Sequence, residues 1–387
     1  MSDEIHPFRC EVPDTVLADL KDRLARTRWP DQLPDAGWDY GTEKSFLQSL
    51  CEHWRDRFDW RTAEARFNAF PQYLTQINGE QLHFYHARSP EPDALPLIIT
   101  HGYPGSVAEF LDILGPLSDP ARHGGNPRDA FHVVAPSIPG YGFSGPTRHK
   151  GFTSLKAADI NIRLMELLGY DRYIAQGGDW GSAISTATAI KRPERVIALH
   201  VNMILGFPPN PADPLEGLNE TERKAQAWKA EYNAHETGYI AIQSTKPQSL
   251  AYGMTDSPAG LAAWVVEKFR RWSDCGDDVE RSFTKDQLLE NIMLYWVTGT
   301  INSAMRLYYE AHGPGRGTGS FFATGVQVPT GLANYPGEIA PTPRLWAGQV
   351  YKNIVRWTDM PKGGHFAAFE QPVAFVEDLR AFAREFR

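Results

Sequence analysis

A chain of 387 residues has room for two to three domains at about 150 residues each, or for one enlarged domain carrying an insertion. Its 42% hydrophobic and 22% charged residues, with a mean hydropathy of -0.41, exclude a protein of several membrane spans. A formal charge of -8 without any Lys/Arg block excludes nucleic acid and anionic membrane surfaces as main partners.

The opening residues Met1-Ser2-Asp3-Glu4-Ile5 lack the basic and apolar regions of a secretory leader. Cys10, Cys51 and Cys275 are widely spaced and odd in number, which argues against a disulfide framework or a zinc site and suits a reducing compartment. A cytoplasmic protein is expected. Val16, Leu17, Leu20 and Leu24 recur at helical spacing and predict a helix over 12–26, behind Pro13-Asp14-Thr15. A second helix is predicted over 45–58, and the two form either a separate domain or a strap around a later one.

From Tyr73 the period changes to two, and alternation on both sides of Asn78-Gly79 predicts a β-hairpin. The apolar runs 95–100, 132–135, 173–176 and 196–201 predict strands, with a helical pattern over 105–117 after the first of them. Strands alternating with helices predict an α/β fold with a mostly parallel sheet covered on both faces, and functional loops at the carboxyl ends of its strands. That rhythm stops between about 207 and 320, where helices are predicted over 221–235, 258–272 and 285–310, as in an inserted lid. It resumes with strands at 327–330 and 353–357 and ends in a helix over 372–386.

The sharpest local signal is Gly177-Gly178-Asp179-Trp180-Gly181, after a strand and before a helix of small residues. It has the form Gly-x-nucleophile-x-Gly, in which a tight strand-to-helix turn projects one side chain above the sheet. An acidic helix cap is the plainer reading of this turn standing alone. If Asp179 is the nucleophile, the reaction class changes from that of a serine. A carboxylate, ionised at pH 7, attacks saturated carbon and forms an alkyl ester. Hydrolysis of that ester needs a histidine base, an orienting acid and an oxyanion hole.

His365, between the last strand and the last helix, is the candidate base. Glu338, Asp359 and Glu370 compete as the orienting acid, and chain order does not choose among them. His101-Gly102-Tyr103-Pro104-Gly105 fits an oxyanion loop whose backbone N–H would act with that of Trp180. No zinc spacing, phosphate loop or dinucleotide fingerprint is present, so neither metal nor cofactor is implied.

Together these residues resemble the epoxide hydrolases of the α/β-hydrolase fold, in the branch related to microsomal epoxide hydrolase. The resemblance spans nearly the whole chain: Trp29-Pro30, the loop 101–106, the run 136–144, the elbow 177–181, Thr237-Gly238-Tyr239-Ile240, 244–247, Leu294-Tyr295-Trp296 and 363–370. It implies Asp179 as nucleophile, His365 as base, and Glu338, in Tyr335-Pro336-Gly337-Glu338, as the acid. It further implies Tyr239 and Tyr308 as lid donors to the epoxide oxygen, with the adjacent Tyr309 as the alternative to Tyr308, and Tyr103 and Trp180 at the oxyanion and substrate site.

The organisation then expected is an N-terminal extension over 1–90 wrapping the core, core over 91–206, a helical lid over 207–320 and core again over 321–387. The partners expected are an epoxide and water, and the oligomeric state is left open. Because the chain begins almost at the shared N-terminal region, it is similar to soluble bacterial members, and its length resembles those of secondary metabolism, enediyne antibiotic biosynthesis included. Two other readings are a haloalkane dehalogenase, with Trp180 as halide donor, and a binding protein that kept the fold without the chemistry. Aromatic residues of the lid, Trp228, Tyr252, Trp264 and Tyr295, suggest a bulky, aryl-bearing epoxide.

Overall fold

The structure is a computed structural model that describes residues 3–387. Nine strands form one sheet: β1 (His6–Phe8), β2 (Gln72–Ile77), β3 (Glu80–Ala87), β4 (Leu95–Thr100), β5 (Phe131–Pro136), β6 (Tyr173–Gly177), β7 (Val196–Val201), β8 (Thr330–Asn334) and β9 (Ile354–Asp359). Their order is β1-β2-β3-β5-β4-β6-β7-β8-β9. The hairpin of β2 and β3 turns at Asn78 and Gly79, both at positive φ (54° and 84°), with Ile77 opposite Glu80. That two-residue turn matches the right-handed twist of its strands.

From β5 to β9 all neighbours run parallel, and the central β4, β6 and β7 are almost wholly buried. Both faces are covered, which is why their sequences are continuous apolar runs rather than alternations. The chain leaves β4 toward β5 on one side and returns to β6 on the other. The carboxyl ends of β4 and β6 therefore flank a crevice at which the strand order reverses.

Between β7 and β8 the chain makes a helical excursion. Its main helices are Glu220–Glu236, Gly238–Thr245, Pro247–Asp256, Pro258–Trp272, Lys285–Thr298 and Ile301–His312. The single helix expected over 285–310 is two helices. Gly299, at φ +63°, caps the first in the left-handed region, a conformation that stops an α-helix. The strand expected from Gln327 begins instead at Thr330, because Pro329 has no N–H to give to a ladder.

The three N-terminal helices, Asp14–Ala25, Lys44–Asp56 and Trp60–Phe67, lie against this excursion. Trp54 donates its indole N–H to the sulfur of Met293 (3.2 Å), Thr42 donates to the Ala263 carbonyl (2.6 Å), and Arg66 pairs with Glu290 (2.6 Å).

Candidate active site

Four loops at the carboxyl ends of β4, β6, β8 and β9 supply the polar residues of the crevice. After β6 the backbone turns sharply at Asp179, held at φ +50°, ψ -127°, and the helix Trp180–Lys191 starts at the next residue. A side chain at position 181 would bring a Cβ within 1.8 Å of the Thr100 carbonyl, and one at 102 would meet the Asp179 carboxylate at 2.3 Å. Glycine at both places lets the loop after β4 close over the elbow. Strain at a non-glycine residue of positive φ marks a position held by its surroundings.

Asp179 Oδ1 accepts the backbone N–H of Tyr103 at 2.7 Å, and Oδ2 lies 3.2 Å from His365 Nε2. The Trp180 N–H makes no corresponding hydrogen bond to Asp179 in this structure. On the other edge of the imidazole, Nδ1 is 2.9 and 3.1 Å from the two carboxylate oxygens of Glu338. The loops carrying Glu338 and His365 are joined by a bridge between Gly337 and Gly364, with the Gly337 N–H donated to Gly363 at 2.9 Å.

Of the three candidate acids, only Glu338 touches His365. Asp359 accepts from Asn334 and from the Trp357 indole. Glu370 accepts the backbone N–H groups of Asp274 and Phe366. Burial pulls the His365 pKa down, but the two flanking carboxylates outweigh it and hold the imidazole well above its usual value.

Tyr103 is fully buried and its hydroxyl accepts the Trp264 indole N–H at 2.9 Å. Three further supports grip the same loop from the helix Lys285–Thr298. Asn291 donates to Pro104 O at 2.8 Å and accepts from Ser106 at 2.7 Å, while Tyr295 donates to Gly105 O at 2.6 Å. Tyr308 stands edge-on to Trp180 (4.9 Å between centroids), Tyr103 (5.3 Å) and Tyr239 (5.9 Å).

Neither the Tyr239 nor the Tyr308 hydroxyl has a hydrogen-bond partner among the described residues. Burial, and then the Asp179 charge among its neighbours, keeps both phenols protonated. Tyr309 faces away from this cluster and carries Arg316 over its ring at 4.6 Å.

Behind Asp179 and His365 lies a small cavity of about 20 Å³ that also touches Glu109, Gln176 and Asn202, room for about one water. Sequence reasoning missed Glu109, a buried carboxyl that desolvation, opposed in part by His365, pushes up to about 8. It lies four residues past a loop that drew all the attention. No cluster of metal-ligating side chains occurs among the described residues.

A carboxylate on a strained elbow, a backbone donor on its inner oxygen and a histidine bridged to a second carboxylate define a hydrolase of the α/β-hydrolase fold. Residues 96–259 match the alpha/beta hydrolase fold family, and residues 5–110 match the family described as epoxide hydrolase N terminus. Epoxide hydrolase 1 of Sus scrofa is 39% identical over 402 residues, covering 98% of this chain and 88% of the relative. The crystal structure of juvenile hormone epoxide hydrolase from the silkworm Bombyx mori superposes with a TM-score of 0.91 at 33% identity, covering 100% of this chain and 95% of that one. The Aspergillus niger epoxide hydrolase structure gives 0.88 at 31% identity, covering 99% and 97%. The chain belongs to the epoxide hydrolases, enzymes that open an epoxide, a strained cyclic ether, with water.

Proposed function

We propose that the reaction runs in two steps through an ester on Asp179. The observation that carries this reading is the His365 imidazole suspended between Asp179 Oδ2 at 3.2 Å and Glu338 at 2.9 Å. In the first step Oδ2 attacks an epoxide carbon and the ring C–O bond breaks. Tyr239 and Tyr308 hydrogen-bond the departing oxygen, which takes a proton from one of them. Oδ1 becomes the ester carbonyl oxygen, already held by the Tyr103 N–H, and the Trp180 N–H supplies the second donor as charge develops there.

Alkylation removes one of the two anions that keep His365 protonated. The imidazole then gives up its proton to the phenolate left by the first step and serves as the base for a water in the adjoining cavity, which attacks the ester carbonyl carbon. Glu338 orients the ring and stabilises the imidazolium that forms.

The helical excursion acts as a lid whose aromatic side chains pack with Tyr103 and Trp180 into an apolar cluster beside Asp179, suited to a bulky epoxide. Trp264 and Tyr295 reach the oxyanion loop, whereas Trp228 and Tyr252 are surface residues, 38% and 70% exposed, so the preference rests on Tyr103, Trp180, Tyr239, Trp264 and Tyr308. A cytoplasmic location is part of the proposal, supported by three buried free cysteines. A place in secondary metabolism, antibiotic biosynthesis included, is part of the proposal and is supported by the likeness in length. The test is styrene oxide beside 1-bromobutane: diol formation without bromide release is expected, and bromide release without diol would overturn the reading.

A further inference from the structure

On the helix Pro258–Trp272, Lys268 is only 5% exposed. Its ammonium lies 4.7 Å from the Tyr239 ring centroid, 5.5 Å from Trp264 and 5.9 Å from Trp272. An ion pair with Glu267 completes its surroundings. Burying a lysine is costly unless something compensates, and a methionine or leucine would fill this helix position without that cost. The carboxylate of Glu267 is about a fifth exposed and lines a surface groove beside Trp29 and Leu33. The ammonium faces the aromatic box, and the rings of that box are functional. Tyr239 meets Tyr308 edge-on, Trp264 donates to the Tyr103 hydroxyl, and Trp272 packs on His365.

We propose that Lys268 tunes the acidity of Tyr239: its boxed ammonium stabilises the negative charge that the phenol acquires while it protonates the epoxide oxygen. The inference rests on the two-step reading above and deepens it. As the bond from Asp179 Oδ2 to carbon forms, the epoxide C–O electron pair passes to oxygen and the Tyr239 proton follows. The phenolate left behind lies beneath a cation at cation–π distance. The proton that His365 gives up after alkylation restores the phenol, and the one it takes from the hydrolytic water restores the imidazolium as the ester becomes carboxylate and diol. Lys268 touches neither substrate nor Asp179. It is a positioning residue that acts through one tyrosine, so its effect belongs to alkylation and not to ester hydrolysis.

The experiment is a single-turnover reaction with styrene oxide, quenched at intervals and followed by intact-protein mass spectrometry, which reads formation and decay of the ester separately. Lys268→Met should slow ester formation about tenfold, equivalent to about 1.4 kcal/mol, and leave its decay unchanged. Lys268→Arg, which keeps the charge, should stay within about threefold of the wild-type rate, and it serves as the second variant where the methionine protein does not fold. In a Tyr239→Phe background Lys268→Met should add nothing. The proposal is overturned if Lys268→Met leaves ester formation unchanged, slows formation and decay alike, or slows formation equally without the Tyr239 hydroxyl. It is also overturned if the arginine variant loses as much as the methionine one. Absence of any ester in the wild-type protein would instead refute the two-step reading itself.

Discussion

The backbone carbonyl of Trp272 accepts the N–H of His365 at 2.8 Å, and the indole of the same residue packs edge-on against the imidazole at 5.0 Å. The excursion between β7 and β8 thus grips His365 directly. Asp274 extends the grip by accepting the Gly363 N–H, and Glu370 closes it by accepting the N–H groups of both Asp274 and Phe366. Phe269 stacks on Phe366 at 4.1 Å, nearly parallel.

Because Glu370 ties these two segments without touching Asp179, its removal should loosen the placement of His365 rather than delete a reacting group. Glu370→Ala leaves buried N–H groups unpaired, a cost of about 1–3 kcal/mol. The expected result is a lower urea midpoint and a slower decay of the Asp179 ester, with ester formation much less affected. A variant that loses both steps equally while retaining its urea midpoint would contradict this role.

Removing the base should separate the two steps outright. His365→Gln keeps the Asp179 carboxylate able to attack, so one equivalent of styrene oxide should remain attached to the protein as a stable ester, visible as a mass shift. Asp179→Asn should show neither adduct nor turnover. Glu338→Gln should accumulate the same ester more weakly, since it removes the orienting charge and spares the imidazole.

The two tyrosines should behave alike in kind. Tyr239→Phe and Tyr308→Phe each remove one donor to the leaving oxygen and should slow ester formation by about 10- to 100-fold, about 1.4 to 2.7 kcal/mol of transition-state stabilisation. The double variant should lose nearly all alkylation. Rapid-quench measurement of ester formation checks this, and Tyr309→Phe provides the control, expected to be silent because its ring lies under Arg316.

Much of this site was legible in the chain because its chemistry sits on local turns. The elbow 177–181, the loop 101–105 and the position of His365 after the last strand all depend on neighbours in sequence. The choice among Glu338, Asp359 and Glu370 did not, since it depends on the bridge between Gly337 and Gly364, which joins two loops across the sheet edge. Lys268 and Glu109 were invisible for a related reason: a single charge in an apolar helical stretch reads as a solvated face until the packed partner is known. The short helices Gly238–Thr245 and Pro247–Asp256 carry too few turns for a periodic signal, and the break at Gly299 was read through because apolar spacing continues on both sides.

Below the sheet, Asp378 joins the last helix to β7 and β9 through Arg356 (2.7 and 3.0 Å), Thr358 (2.8 Å) and His200 (3.1 Å). Burial would raise its pKa, but the His200 and Arg356 contacts overcome that and hold it well below the usual carboxylate range. Asp378→Asn leaves the half-buried Arg356 facing no anion and should destabilise the fold by about 1–3 kcal/mol. Chemical denaturation should show the loss, with kcat on the remaining folded protein unchanged.

The pH dependence of stability follows from three groups of opposite sign. Burial raises Glu109 from 4.5 to about 8 and Glu370 from 4.5 to about 7. Each keeps its proton in the folded state after the unfolded chain has lost it, so each costs nothing below pH 4.5 and progressively more up to its folded value. His365, raised above 6.5, adds stability that is full below 6.5 and is lost as pH rises through its folded value. Burial lowers His83 to about 3 and His86 and His101 to about 4; these are neutral in the fold, and their contribution is present above 6.5 and lost as pH falls toward 4. Between pH 4.5 and 6.5 the three neutral histidines outweigh the two carboxyls by about one group, so stability rises with pH. Above 6.5 the contribution of the three neutral histidines is constant, and Glu109 and His365, joined by Glu370 up to about pH 7, pull stability down, each by up to about 1.4 kcal/mol per pH unit. The urea midpoint should therefore be highest near pH 6.5 and fall toward pH 8, with a shallower fall in Glu109→Gln. A midpoint that rises between pH 6.5 and 8 would show that these buried groups do not hold their protons.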